Sequence, residues 1–262
     1  VSGVFGSLAG ATDLNGGSLE NGDDIDFNGR IYRIFYNGGT GNDVILVHRQ
    51  AVASIDVFVS NSTATPGHNF EGLTPGTFIT DVDFLTGGNQ NGIYGVDAFA
   101  TLTEAVAGVD SGRTIHVNDG TYTHTTTLQI LDSMTIDGQG RDGVTNIRKA
   151  GAPASNFDEA IRVQADDVTI SNVQIGWVDS ASNDYQGYVL VAEALSATVN
   201  GDLIVDDLLI SNVTFGEGYR SAIILEGTDG TVISDSIFAG NWGRAAIRDG
   251  TGASATNFLI TG

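Results

Sequence analysis

Three short stretches set an aromatic side chain beside glycine and, in two of them, arginine: Gly176-Trp177, Gly216-Glu217-Gly218-Tyr219-Arg220 and Gly240-Asn241-Trp242-Gly243-Arg244. A flat ring stacks on the face of a sugar, and a guanidinium fork grips a carboxylate or sulfate through paired hydrogen bonds. Trp177, Tyr219, Arg220, Trp242 and Arg244 are therefore the candidate carbohydrate-binding residues. The same aromatics would equally serve as stabilising covers packed on a β surface.

Acid/base chemistry has fewer candidates. Two carboxylate pairs occur, Asp166-Asp167 and Asp206-Asp207. A carboxylate pair at a suitable separation cleaves a glycosidic bond. These two recur just ahead of similar segments, however, which is the behaviour of a turn. Proton abstraction beside a uronate carboxylate needs a base and neutralising cations. Lys149 is the only lysine, and Arg162, Arg220, Arg244 and Arg248 are the cations at hand. The four histidines, His48, His68, His116 and His124, all lie in the first half of the chain and have no metal-ligand spacing. No catalytic residue is identified.

These side chains must be positioned by an unusual chain. It has 262 residues, with 11 Lys and Arg against 32 Asp and Glu, a net charge of −21. That balance excludes nucleic acid, whose phosphates require clustered cations, and an anionic membrane surface for the same reason. No apolar run is long enough to span a bilayer, so membrane insertion is not expected. There is no cysteine, hence no disulfide or thiolate chemistry. The acids are 25 Asp and 7 Glu, a ratio that favours turns and strands over helices.

Residues 1–50 predict short strands, with a hairpin of Arg30–Tyr36 and Val44–Val47 around Asn37-Gly38-Gly39. We expect them to be the C-terminal part of a preceding β-rich module. Residues 51–112 predict one strand at Ile55–Val59, a long small-residue loop, and one helix at Asp97–Val109 with Asp97 as its N-cap. From residue 113 onward only short strands separated by Gly, Asp and Asn follow. Segments resembling Val168-Thr169-Ile170-Ser171-Asn172 recur around Ile136, Ile170, Ile210, Ile233 and Ile260. Companion strands precede them at Leu128–Ile130, Ala160–Val163, Tyr188–Val191, Ala222–Leu225 and Ala246–Arg248. A single coil of this kind cannot bury its apolar side, so the coils must stack. Residues 113–262 give about five to seven of them at the strand spacing of roughly 4.8 Å. The five isoleucines are expected to form one buried column. Ser171-Asn172, Ser211-Asn212 and Ser234-Asp235 are expected to form a polar ladder.

The chain at this point resembles the pectin-lyase-like right-handed parallel β-helix family. The Gly95–Val106 segment resembles that family's N-terminal capping helix, and Thr114–Tyr122 and Met134–Gly138 its first coils. The resemblance implies an all-β class, a right-handed parallel β-helix (solenoid) over 113–262, with a capping α-helix and a β-hairpin-rich segment ahead of it. It implies fold far more than function, because this architecture carries enzymes, adhesins and passive stalks alike. Phe35–Val47 resembles strands of large bacterial surface proteins.

One further motif, Gly38-Gly39-Thr40-Gly41-Asn42-Asp43-Val44-Ile45-Leu46, matches a calcium-binding nonapeptide. Gly39, Gly41 and Asp43 would supply the site and calcium the cofactor. Calcium requires oxygen ligands from successive turns, and one copy alone is present, which favours a glycine-rich hairpin turn. The expected function is a non-catalytic structural or adhesive segment of a large extracellular or cell-surface bacterial protein, contacting a polysaccharide or cell-surface glycan. The alternative is a carbohydrate-active enzyme, a polysaccharide lyase or glycoside hydrolase, acting on an acidic polysaccharide. Phe258–Gly262 matches a repeat strand, so further coils or self-association are expected at the C-terminal end of the β-helix.

Overall fold

Strands of three to five residues bury little alone, but in parallel register each covers its predecessor and is covered by its successor. The computed structural model builds the chain this way. It describes residues 24–27, 30–38, 43–49, 56–62, 67–85, 87, 90–151, 153, 158–178, 187–193, 204–216, 220–240, 242–250 and 255–262. The class is all-β with one helix, and its main body is a solenoid-like stack of three parallel sheets.

The long sheet has eight strands. Those from residue 113 onward are Arg113–Val117, Met134–Gly138, Thr169–Ser171, Leu209–Ser211, Val232–Ser234 and Leu259–Thr261, within the expected number of coils. Asp56–Val59 and Ala98–Phe99 complete it. A second sheet, called here the groove sheet, joins Leu128–Ile130, Glu159–Val163, Tyr188–Glu193, Ser221–Glu226 and Ile247–Asp249. A third joins Gly120–His124, Thr145–Lys149, Gln174–Trp177, Thr214–Phe215 and Ile237–Phe238. In the N-terminal segment Asp24–Phe27, Arg30–Gly38 and Asp43–Arg49 form an antiparallel sheet, as the hairpin reading expects.

The isoleucine register holds throughout: Ile136, Ile170, Ile210, Ile233 and Ile260 are successive partners. The first four are buried. Ile260 departs from the expected column, being 51% exposed. Its strand is the outermost of the long sheet, so one of its sides has no stacked neighbour among the described residues. Two further columns meet the isoleucines at the centre. Ile161, Leu190 and Ile223 come from the groove sheet, and Ile147, Ile175 and Phe215 from the third.

The corners between the long and third sheets are made by Asn172, Asn212 and Asp235, all at positive φ near 50°. Asn and Asp tolerate this conformation because their short polar chains bond locally. The expected polar ladder forms on Asn172 and Asn212. Asn212 Nδ2 donates to Asn172 Oδ1 at 2.6 Å, and Asn172 Nδ2 to Asp137 Oδ1 at 2.7 Å. Its rungs join side chain to side chain rather than side chain to backbone. Asp167 and Asp207 turn the chain in the same conformation, and Asp166 Oδ1 accepts from the Asp206 amide at 2.9 Å. The Asp pairs thus build turns.

The helix is shorter than expected, Leu102–Gly108, and its N-cap is Thr101, not Asp97. Thr101 and Glu104 form a reciprocal capping box, while Asp97 accepts from the Ile93 amide. The capping box satisfies two helical amides at once, and Ala98–Phe99 is drawn off to pair with Phe58 and Val59. Phe99 keeps the helical spacing in sequence but reaches the core from a strand. The segment expected as a loose loop has a small core of its own, in which Phe58, Phe70, Ile79, Val82 and Tyr94 are buried.

Candidate functional site

The outward face of the groove sheet gathers four arginines and three glutamates. The register places Arg162, Val191, Ile224 and Arg248 in one row across four neighbouring strands. Glu193 and Glu226 form the next outward row. With Tyr188, Glu159, Arg220 and Arg244 they line a groove of about 330 Å³. Its floor is a small apolar cluster of Tyr188, Val191 and Ile224. Beside it Gly250 faces Glu226, where a β-carbon would lie 2.4 Å from Glu226 Cβ, so a larger residue would displace that carboxylate.

Two states of arginine coexist here. Arg162 bridges Glu159 Oε1 and Glu193 Oε1, each at 2.9 Å. Arg220 stands over the Tyr188 ring, 5.6 Å from its centroid, a cation–π arrangement that prepositions the guanidinium. The Arg244 amide donates to the Arg220 carbonyl at 3.0 Å, which stacks the two arginines along the solenoid. Arg244 and Arg248 form no ion pair among the described residues. Four of the chain's 11 cationic residues thus converge on one groove of a protein carrying a net charge of −21.

Of the expected sugar-binding residues, Arg220 and Arg244 lie in this groove. Tyr219 lies outside the described residues. Trp177 does not belong to any ligand face: it is 1% exposed and its indole donates to the Tyr188 carbonyl at 3.2 Å. The corner at Asn172 resets the inside–outside alternation, and Trp177 falls on an inward position of the third sheet beside Lys149. Trp242, two residues further round its coil than the Trp177 position, is half-buried against the core. Its ring folds back over Gly240, where a β-carbon would stand 2.8 Å from the indole. Of the calcium motif, Gly39 and Gly41 lie outside the described residues, and Asp43 is described by its backbone alone, as the first residue of a strand.

Sequence reasoning missed Arg162, Tyr188, Glu193, Glu226 and Arg248 as one site. The available signal was the companion strands, whose polar positions alternate with the apolar ones. Once they are stacked in register, their arginines and glutamates fall on one face.

Behind the groove lies a buried polar set. Lys149 Nζ donates to the Thr127 hydroxyl at 3.1 Å, to the Glu159 carbonyl at 2.9 Å and to the Asp158 carboxylate, and it sits 4.8 Å above the Trp177 ring. His124, in register with Lys149, donates from Nδ1 to the Thr126 carbonyl at 2.6 Å. Its Nε2 is buried without a partner. Burial, reinforced by the Lys149 charge, holds the His124 pKa below the ordinary 6.5, against the opposing pull of the Thr126 hydrogen bond.

The sign of the linkage is clear. As pH falls below about 6.5, the unfolded chain takes up a proton that folded His124 refuses until lower pH, so the folded state loses stability across that window. Urea unfolding between about pH 7.5 and 5 is expected to show a steeper loss for the wild type than for His124→Gln. Parallel slopes would mean that His124 titrates alike in both states. Among the described residues, no helix is long and apolar enough to cross a membrane. Comparison with family models, curated proteins and solved structures returns no match.

Proposed function

We propose that this chain is a non-catalytic segment of a large extracellular or cell-surface protein, a right-handed parallel β-helix of pectin-lyase-like type, and that its groove holds an acidic glycan. The helix at Leu102–Gly108 then caps the N-terminal end of the coils, since its buried Leu102, Ala105 and Val106 pack into the core cluster. The observation that carries the glycan reading is the gathering of Arg162, Arg220, Arg244 and Arg248 in one groove of an acidic protein. Guanidinium forks match planar oxyanions in geometry as well as charge. Retaining them against a net charge of −21 is hard to explain by solubility, which more acid would serve better.

A second reading, a glycoside hydrolase, draws on Glu193 and Glu226. They are register partners on adjacent strands, so their backbones stand about 4.8 Å apart. Carboxyl groups separated by roughly 5 Å suit a retaining mechanism.

Calorimetric titration of the folded protein with an acidic polysaccharide is expected to show binding that weakens with added salt, and a neutral polysaccharide of equal length none. Arg248→Ala is expected to reduce the acidic affinity about tenfold, the scale of one lost charge-assisted contact. No acidic binding at low salt would end the glycan reading. Release of new reducing ends from the bound polymer, abolished in Glu226→Gln, would favour the hydrolase instead.

A further inference from the structure

We infer that the groove is polarised, and that it selects a glycan in which acidic units alternate with neutral, hydroxyl-bearing ones over a homopolymer of acidic units. The inference rests on the acidic-glycan reading and specifies the ligand of that same site.

The groove runs across stacked strands, so a linear ligand lying in it follows the solenoid axis. Its two ends differ. At the Ser221–Glu226 and Ile247–Asp249 end stand three arginines, Arg220, Arg244 and Arg248, against Glu226. At the Glu159–Val163 and Tyr188–Glu193 end one arginine, Arg162, stands between two glutamates. Arg162 and Arg248 are three strand spacings apart, roughly 14 Å. The two ends are therefore separate subsites for different units of one chain.

Arg162 is not available to an anion in the way Arg248 is. Both of its terminal nitrogens are engaged at 2.9 Å by carboxylates. An acidic group placed there would meet the charge of Glu193, which is about one-third exposed, and would have to displace an ion pair to reach the guanidinium. A hydroxyl meets no such penalty. Only Oε1 of Glu193 is used by Arg162, and a carboxylate accepts further hydrogen bonds at its other oxygen. The Glu193 end thus accepts from hydroxyls and repels acids, while the Arg244 and Arg248 end attracts acids. A ligand satisfying both sets a neutral unit at one end and an acidic unit at the other, which a chain of alternating units supplies and an acidic homopolymer does not.

The test uses two probes of equal length with the full chain: an oligosaccharide alternating glucuronate with N-acetylglucosamine, and an oligosaccharide of galacturonate alone. Calorimetry is expected to find the alternating probe about tenfold tighter on the wild type. Glu193→Gln removes the repelling charge and keeps the shape. It is expected to tighten the galacturonate probe and to abolish the preference. Equal or reversed preference on the wild type overturns the inference while leaving the acidic-glycan reading standing. An unchanged preference ratio in a folded Glu193→Gln protein also overturns it. Failure of both probes to bind the wild type removes the acidic-glycan reading itself. The wild-type comparison decides the matter even if the variant does not fold.

Discussion

Ile210→Ala is expected to destabilise the protein by about 2–5 kcal/mol, the cost of deleting a fully buried aliphatic side chain and leaving a cavity. Ile210 is 0% exposed and sits between Ile170 and Ile233 in the central column, each its direct register partner. In a globular core neighbours can lean into such a gap. Here the backbone on both sides is pinned by ladder hydrogen bonds, so collapse is restricted and the upper part of the range is expected. Ile260→Ala provides the contrast. It occupies the same register but is half exposed, and its loss is expected to cost well under half as much. Urea unfolding of the two variants measures both values. Similar losses would mean that the column does not carry the stability of the stack.

The isoleucine column was legible because two signals coincide on it. Each anchor lies in a strand-like alternation, and Ile170, Ile210 and Ile233 are followed by Ser-Asn or Ser-Asp, which closes a corner. The companion strands were legible for the first reason alone, and they proved to be the groove sheet. The third sheet was not legible. Thr214–Phe215 and Ile237–Phe238 are two residues long, too short to show alternation, and they follow a corner at which the inside–outside phase resets. That reset is why Trp177, a candidate for contact with a sugar, lies in the core instead. The helix was found but its start misplaced, since Asp97 and Thr101 are both good N-cap residues and only Thr101 has Glu three positions on. The groove was harder to assemble from sequence than the strands that carry it, for a topological reason. Arg162 and Arg248 are 86 positions apart in the chain, and loops of unequal length between coils hide the fact that they share one row.

The sole lysine offers the second large effect. Lys149→Met is expected to cost about 3 kcal/mol, the lower end of what breaking a buried ion pair costs. The lower end applies because the Asp158 side chain keeps 20% of its exposure against 7% for Lys149, so water relieves part of the carboxylate's loss. The Asp158 carboxylate, the Glu159 carbonyl and the Thr127 hydroxyl each lose the hydrogen bond from Lys149, while the carbonyl still accepts from the Thr127 hydroxyl at 3.0 Å. Methionine fills the space over Trp177 and keeps the apolar contact, so packing loss is small and the measured cost isolates the charge. Adding Asp158→Asn to Lys149→Met removes the carboxylate charge that Lys149 had balanced and is expected to recover most of the loss. If the double variant is instead as unstable as the single one, the cost lies in the hydrogen bonds that Lys149 gave the carbonyl and the hydroxyl. The consequence reaches the groove through the backbone. The Asp158 carbonyl accepts from the Tyr188 amide at 2.8 Å, and Trp177, over which Lys149 sits, holds the Tyr188 carbonyl. Glu159 and Tyr188 begin the two strands that carry the Arg162 end of the groove. A folded Lys149→Met protein should therefore bind an acidic glycan more weakly although Lys149 lines no part of the groove. Binding equal to wild type would show that the buried pair supports the stack alone and not the site.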